Sequence, residues 1–406
     1  MASPFSSWPD LHDDTLHEVV RRLPCRPDRD RMAEVCGPWH LALARLPAPP
    51  PQLPWLLLPS DGVEPTRVAC VIDGCVVRHR FTAAHAARLL GSYSGGWLFV
   101  ALEQTRGHAL VHLRTRDPQR SVRPIPDMLS RPGGQHPEKL VILAATLSSP
   151  PDRGDCIGAA IVATWDFTSG PRQVVFWRMG DVVAVDAMLL AQGDPRLEAE
   201  DVVYFKGAFH FLTVGEHLRV CDPVDVEVER AKVKLDADHV CWFQPRPRVH
   251  SEGEGDLLES ARYLVESRNC LMMVVRLRRR YPDPKFPTVG FKIYEVNRAE
   301  VTTDDGTKVL EYSWSELPSL DDRVIFVGRG CSKSYEVSEF VEAGIRAGVY
   351  FIDDEGYFKD VSLLFEEQVY RLYPGSDNGK WSAGGIDHCF TAESCSNRSP
   401  PGWLLP

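Results

Sequence analysis

The chain has 406 residues, of which 44% are hydrophobic and 25% charged, and its formal net charge is −10. That length allows one large domain beside a small one. The negative balance argues against nucleic acid as the main partner, because phosphate binding needs a basic footprint. "MASPFSSWPDLHDD" has no basic segment leading into an apolar core, and no apolar run is long enough to span a bilayer, so neither secretion nor a membrane is expected. The 11 cysteines form no Cys-x-x-Cys pair and read as small buried thiols in a reducing compartment, cytoplasmic or nuclear.

Residues 8–46 read as helices. Leu16, Val19, Val20 and Leu23 fall on one helical stripe, with Asp13 or Asp14 placed to cap its start. Pro24 and Pro27 end that helix and begin the next. The second stripe is Met32, Val35, Cys36, Trp39 and Leu43, broken near Gly37-Pro38. The prolines of 47–60 make a semi-rigid linker that runs into a first strand.

From about residue 55 the pattern turns to short strands: "GGWLFVAL", "LVILAAT", "CIGAAIVATW", "QVVFWRMGD", "FKIYEV", "RVIFVG" and "GVYFIDDEGYF". "DVVYFKGAFHFLTV" (201–214) predicts a hairpin turning at Lys206-Gly207, and "RYLVESRNCLMMVVRL" (262–277) another at Ser267-Arg268-Asn269. Some 300 residues of short strands suit a closed ring of small sheets better than a sandwich. The fold class expected is therefore mainly β. A small three-helix unit at 8–46 and the proline-rich linker and first strand at 47–60 precede a β-propeller-like domain at 61–372. The final stretch, 373–406, lacks periodicity and is expected as an irregular tail onto which Trp381 and Trp403 could dock.

No motif for bond chemistry survives inspection. "VIFVGRGCSKS" (324–334) pairs two glycines with Lys-Ser but lacks the third glycine of a dinucleotide loop and the spacing of a Walker loop, so it reads as a strand-end turn. "GSYSGG" puts Tyr93 where a nucleophile elbow needs serine. "HALVH" (108–112) sets two histidines on one strand face with no further ligand nearby. "DHC" (387–389) is adjacency without geometry. The run "RLRRRYPDPK" (276–285) reads as a solvated strand end rather than a nuclear address, and Asp304-Asp305, Asp321-Asp322 and Asp353-Asp354 read as turns. No enzyme, catalytic residue, cofactor or metal is expected.

The helical unit offers too few apolar side chains to stand alone, so its stripes need cover, either from the chain's own β-domain or from a partner's helices. The stretch "WPDLHDDTLHEVVRRLPCRPDRDRMAEVCGPWHLAL" resembles an F-box, through Leu11, Asp13, Leu16, Val19, Arg22-Leu23-Pro24 and Val35-Cys36-x-x-Trp39. The pieces "LPWLLLP", "GSYSGGWLF", "DVVYFKGAFHFLT", "DRVIFVGRGCSKS" and "GVYFIDD" look like the large plant family that carries a KIB-type β-propeller after its F-box. The resemblance covers roughly 8–370 and implies a substrate receptor. The box would bind a Skp-type adaptor, and through it a cullin–RING ubiquitin ligase, while the propeller holds a target protein. Carried over residue by residue, Leu11, Leu16, Val19, Leu23, Pro24, Val35, Cys36 and Trp39 would line the adaptor interface or support it. The chain departs from the family pattern at His12, Gly37 and His40. The alternative is an adaptor-free binding or scaffold module whose helical piece docks on its own propeller.

Overall fold

The computed structural model describes residues 8–23, 26–46, 52–59, 67–71, 76–78, 87–113, 121–131, 136–164, 172–186, 194–224, 234–247, 257–279, 288–303, 306–359, 373, 375–388 and 396–406. The N-terminal unit is three short helices, α1 (Asp13–Arg21), α2 (Arg26–Ala33) and α3 (Gly37–Ala44), after a 3-10 turn at Trp8–Asp10. The cap of α1 is His12 rather than an aspartate: its Nδ1 accepts the Asp14 N–H at 3.3 Å, and Asp13 and Asp14 occupy the first turn, where the helix dipole favours them. Gly37 stands at the first position of α3, directly before Pro38, so the penalty of a glycine inside a helix does not fall on it. Leu16, Val20, Met32 and Ala42 are buried together, with Leu11, Leu23, Trp39, Leu43 and Leu46 packed around them. His17 Nε2 lies 2.9 Å from Ala42 O and ties α1 to α3.

Beyond it the described residues form six sheets taken largely in chain order. The first holds Trp55–Leu58, Arg67–Cys70 and Val76–Arg78, and the second Arg88–Tyr93, Trp97–Ala101, His108–His112 and Val122–Pro124. The third runs from Met128–Ser130 through Glu138–Leu147, Ile157–Thr164 and Gln173–Arg178 to Val183–Asp186, which pairs in parallel with Met128–Ser130 and closes that sheet on itself. Ala199–Phe205, Ala208–Thr213, Leu218–Val224 and Lys234–Cys241 make the fourth. Leu257–Ser267, Cys270–Arg279, Thr288–Thr302 and Lys308–Glu316 make the fifth. The sixth is built from Arg323–Phe326, Lys333–Glu336, Gly348–Phe351, Gly379–Ser382 and Gly385–Asp387.

Six apolar clusters join each sheet to the next and the sixth back to the first, so the sheets form a ring. The period-2 pattern explains how. In the fifth sheet Ala261, Tyr263, Val265, Met272 and Val274 face the sixth, while Leu264, Leu271, Met273 and Val275 face the fourth. A sheet buried on both faces reads as a continuous apolar run, which is what "CLMMVVRL" is. Both expected hairpins are present. Lys206 and Gly207 (φ 48° and 89°), and Arg268 and Asn269 (φ 48° and 63°), supply the paired positive φ angles of a two-residue turn.

The expectation of an irregular tail at 373–406 is corrected. Gly379–Ser382 and Gly385–Asp387 are strands of the sixth sheet, and Gly402–Leu404 pairs antiparallel with Trp55–Leu57 to complete the first. A three-residue strand is too short to show periodicity, yet Trp403 is fully buried and its Nε1–H donates to Val327 O at 2.8 Å. The boundary at 60/61 shifts too. Gln52 to Leu58 are buried in the ring, so the first strand expected within 47–60 belongs to the β-domain, while 47–51 lie outside the described residues. Beyond Val296 the hairpin of the fifth sheet continues as a two-stranded ribbon with exposed Asn297 to Glu300, Val309 and Leu310.

Trp403→Ala removes the largest side chain of the closing strand together with its hydrogen bond. A loss of about 3–5 kcal/mol is expected, read from the urea midpoint of the full chain against Trp403→Phe, which keeps much of the volume.

Candidate functional site

Two regions gather the residues of interest. On the helical unit, Leu16 is buried and Leu11, Leu23, Cys36 and Trp39 are half-buried, whereas Val19 and Val35 are 41% and 56% exposed. Pro24 lies outside the described residues. Leu16 and Val19 therefore do not share the single inward stripe expected of them: Leu16 holds the helices together and Val19 faces out. Trp39 spends its Nε1–H on Trp8 O at 2.9 Å, fixing the entry segment to α3. Leu41, which sequence reasoning missed, is also 56% exposed, and Trp8 is 75% exposed. Exposed large apolar side chains thus occur on the entry turn, on α1, after α2 and on α3.

The second region is a set of buried charges that pair across neighbouring sheets. Arg276 heads the run read as a solvated strand end, yet its side chain is buried. Nη2 donates to Asp377 Oδ2 at 2.7 Å, Nε to Thr288 Oγ1 at 2.6 Å and Nη1 to Ile352 O at 2.8 Å. Arg278 Nη1 donates to Glu355 Oε2 at 2.8 Å, and Tyr263 OH to Asp354 Oδ1 at 2.8 Å. Asp353-Asp354 is therefore no simple turn. Burial raises both carboxyls, Asp353 to about 6, against the pull of nearby arginines. Between the fourth and fifth sheets, Arg262 and Arg246 meet Glu200, Glu216 and Glu259 at 2.7–3.2 Å. The only sequence signal for any of this is a charge inside an apolar strand run, as in "MMVVRL".

Asp201 links three sheets. Its Oδ1 accepts the N–H groups of Val202 (2.8 Å) and Gly330 (2.6 Å), and its Oδ2 accepts that of Leu264 (2.7 Å). Desolvation raises its pKa to about 7, partly offset by those amides and by Arg329. The loop after Arg323–Phe326 thus offers its amide to an internal carboxylate, which agrees with reading "VIFVGRGCSKS" as a strand-end turn. Gly330 has φ 68°, and a Cβ there would lie 2.5 Å from Ala145 O, so glycine is required.

The histidines of "HALVH" have separate partners. His108 is buried with Nδ1 2.5 Å from Asp127 Oδ1, and burial pushes its pKa down; His112 Nε2 is 3.1 Å from Gly95 O. Among the described residues no cluster of His, Cys, Asp or Glu is arranged to hold a metal, and no helix is long and apolar enough to cross a membrane. Cys70, Cys156, Cys221, Cys241 and Cys331 are buried free thiols, whereas Cys36 is half-buried and Cys270 exposed. Of "DHC", His388 Nδ1 lies 3.3 Å from Asn378 O, and Cys389 is outside the described residues.

A ring of small sheets joined face to face, with its last strand completing its first sheet, defines a β-propeller. The chain belongs to the KIB1-4 beta-propeller family, whose model matches residues 69–373. The closing partners Trp55–Leu58 and Gly402–Leu404 flank that span on either side. A comparison with curated proteins gave no match.

The raised pKa of Asp201 has a definite sign. The folded state holds this proton more tightly than the unfolded chain, so its contribution is fully present below the unfolded value of 3.8 and is lost as pH rises through about 7. Asp201→Asn should flatten that part of the stability–pH curve and cost about 1–3 kcal/mol, because its NH₂ would face an N–H. Urea midpoints of both chains at about pH 5 and about pH 8 measure the difference.

Proposed function

We propose that the chain is the substrate-recognition subunit of a cullin–RING ubiquitin ligase. The helical unit acts as an F-box that binds a Skp-type adaptor, and the propeller holds the target protein. The observation that carries this reading is the surface of the helical unit. Its core is drawn from residues 11–46 alone, yet Val19, Val35 and Leu41 stay exposed on it. A unit docked on its own propeller, as the adaptor-free alternative requires, would bury exposed apolar side chains of this kind within the chain. A partner whose helices complete the bundle would cover them instead. The departures from the F-box pattern are compatible with this reading, since His12 caps α1 and Gly37 starts α3. A propeller suits the second role, because its loops form a broad protein-binding face. On this reading bond chemistry belongs to the rest of the ligase and none to this chain.

The placement of the side chains selects the informative variants. Leu16 replaced by a charged residue would unfold the helices and say nothing about an interface. Val19→Glu and Val35→Glu leave the core intact, and together they should weaken adaptor capture about tenfold or more. Co-purification of the full chain with a Skp-type adaptor, beside the double variant and a chain lacking residues 1–46, checks this. Capture by the full chain alone supports the reading, and undiminished capture by the double variant overturns the interface.

A further inference from the structure

Beside the closing strand lies a small, partly open cavity of ≈ 40 Å³, whose walls include Arg88, Leu143, Arg329, Asp354, Phe358 and Trp403. That volume is room for about three water-sized positions, too little for a drug-sized ligand. Arg329 is 5% exposed, and its guanidinium lies 3.6 Å from the Phe358 ring centroid. Nη1 donates to Glu200 O at 2.7 Å. Nε and Nη2 have no hydrogen-bond acceptor among the described residues. The carboxylate near them, Glu200 Oε1, is 3.7 Å from Nη2 and already accepts the Arg262 N–H at 3.2 Å.

Glu200 balances part of the Arg329 charge, but neither Nε nor Nη2 has an aligned hydrogen-bond acceptor among the described residues, and buried donors in that state ordinarily meet a water or a ligand. The Nε–Nη2 edge is also specific in shape. Its two parallel N–H groups match the two oxygens of a carboxylate, a fit that an ammonium group cannot reproduce. Stacking on Phe358 holds the plane of the fork. Arg88 adds a second positive charge on the same wall, with Nε donating to Gln104 O at 2.8 Å and Nη2 to Ile142 O at 3.2 Å. Asp354 stands on the wall as well. Its Oδ1 accepts the Tyr263 O–H and lies 3.6 Å from Arg276 Nη1, its Oδ2 has no hydrogen-bond partner among the described residues, and Arg329 is the leading positive charge acting on this carboxylate.

We propose that this cavity is a carboxylate site. Arg329 takes the ligand through Nε and Nη2, Arg88 supplies further positive potential, and the apolar walls admit only a one- or two-carbon acid or the tip of an acidic side chain. The site is independent of the adaptor reading.

The test uses the full chain and carbon-labelled acetate, with binding read from line broadening of the acetate resonance. Acetamide, which has the same shape without the charge, is the control. A blocked Gly-Glu-Gly peptide and its Gln counterpart form the second arm. Acetate should broaden and acetamide should not. Arg329→Lys, shown to be folded by its near-ultraviolet spectrum, should bind acetate about tenfold or more weakly, since it keeps the charge but loses the fork. Stronger binding of the Glu peptide than of acetate would assign the site to a protein side chain, and binding of acetate alone to a free small acid; either supports a carboxylate site. No preference of the wild-type chain for acetate over acetamide, or unchanged acetate affinity in folded Arg329→Lys, overturns it.

Discussion

Everything in the β-domain depends on a pairing between residues almost 350 positions apart, Gly402–Leu404 on Trp55–Leu57. Each sheet is sandwiched between two neighbours, and a ring leaves no sheet with a bare face. Without the closing strand the interface shared by the first and sixth sheets loses Trp403 and Leu405, and with them the cover of Leu56, Phe326 and Tyr350. Closure is reinforced away from the strand itself. Gly95 and Gly96 donate their N–H groups to Pro406 O and Leu405 O, and Leu89 donates to Ser399 Oγ. The end of the chain therefore also fastens the second sheet, whose cover depends on the first.

Between the sheets, buried polar groups and charges meet where water is scarce. The ring meets this by pairing rather than by excluding charge. Arg276 reaches from the fifth sheet to Asp377 and Ile352 O near the sixth, and Asp201 gathers amides from three neighbouring segments. Buried ion pairs of this kind add little net stability against apolar replacements, but removing one partner strands the other at a cost of about 3–5 kcal/mol. Their effect is to fix the angular position of one sheet against the next, which apolar faces alone leave loose.

The parts of the fold visible in the sequence were those with local causes. Period-2 apolar runs and paired positive-φ turns at Lys206-Gly207 and Arg268-Asn269 are written in neighbouring residues, and so are the three helices and the break at Gly37-Pro38. The closing strand was hidden because Gly402–Leu404 is too short to carry a period, and its meaning lies in a partner far along the chain. The candidate interface was half legible. The residue types of Leu16 and Val19 mark a helical stripe, but only packing separates the inward one from the outward one. Arg276, Arg329 and Asp201 were the least legible, since a charge in a strand run looks alike whether it meets solvent or a buried carboxylate.

The ribbon beyond Val296 is unlike the rest of the ring. Asn297 to Thr302 pair with Lys308 to Ser313; apart from a bridge between Tyr312 and Phe243 no third strand joins them among the described residues, and most of their side chains are exposed. Its footing is the buried pair Tyr294 and Trp314, the latter tied by its Nε1–H to Glu216 O at 2.8 Å. In terms of amide exchange, the ribbon can open from Thr302 and Lys308 inward only as far as Tyr312, whose ring packs on Phe243 in the interface with the fourth sheet. Its protons then report a local equilibrium of small free energy, whereas those of the buried strands exchange only when the ring itself comes apart.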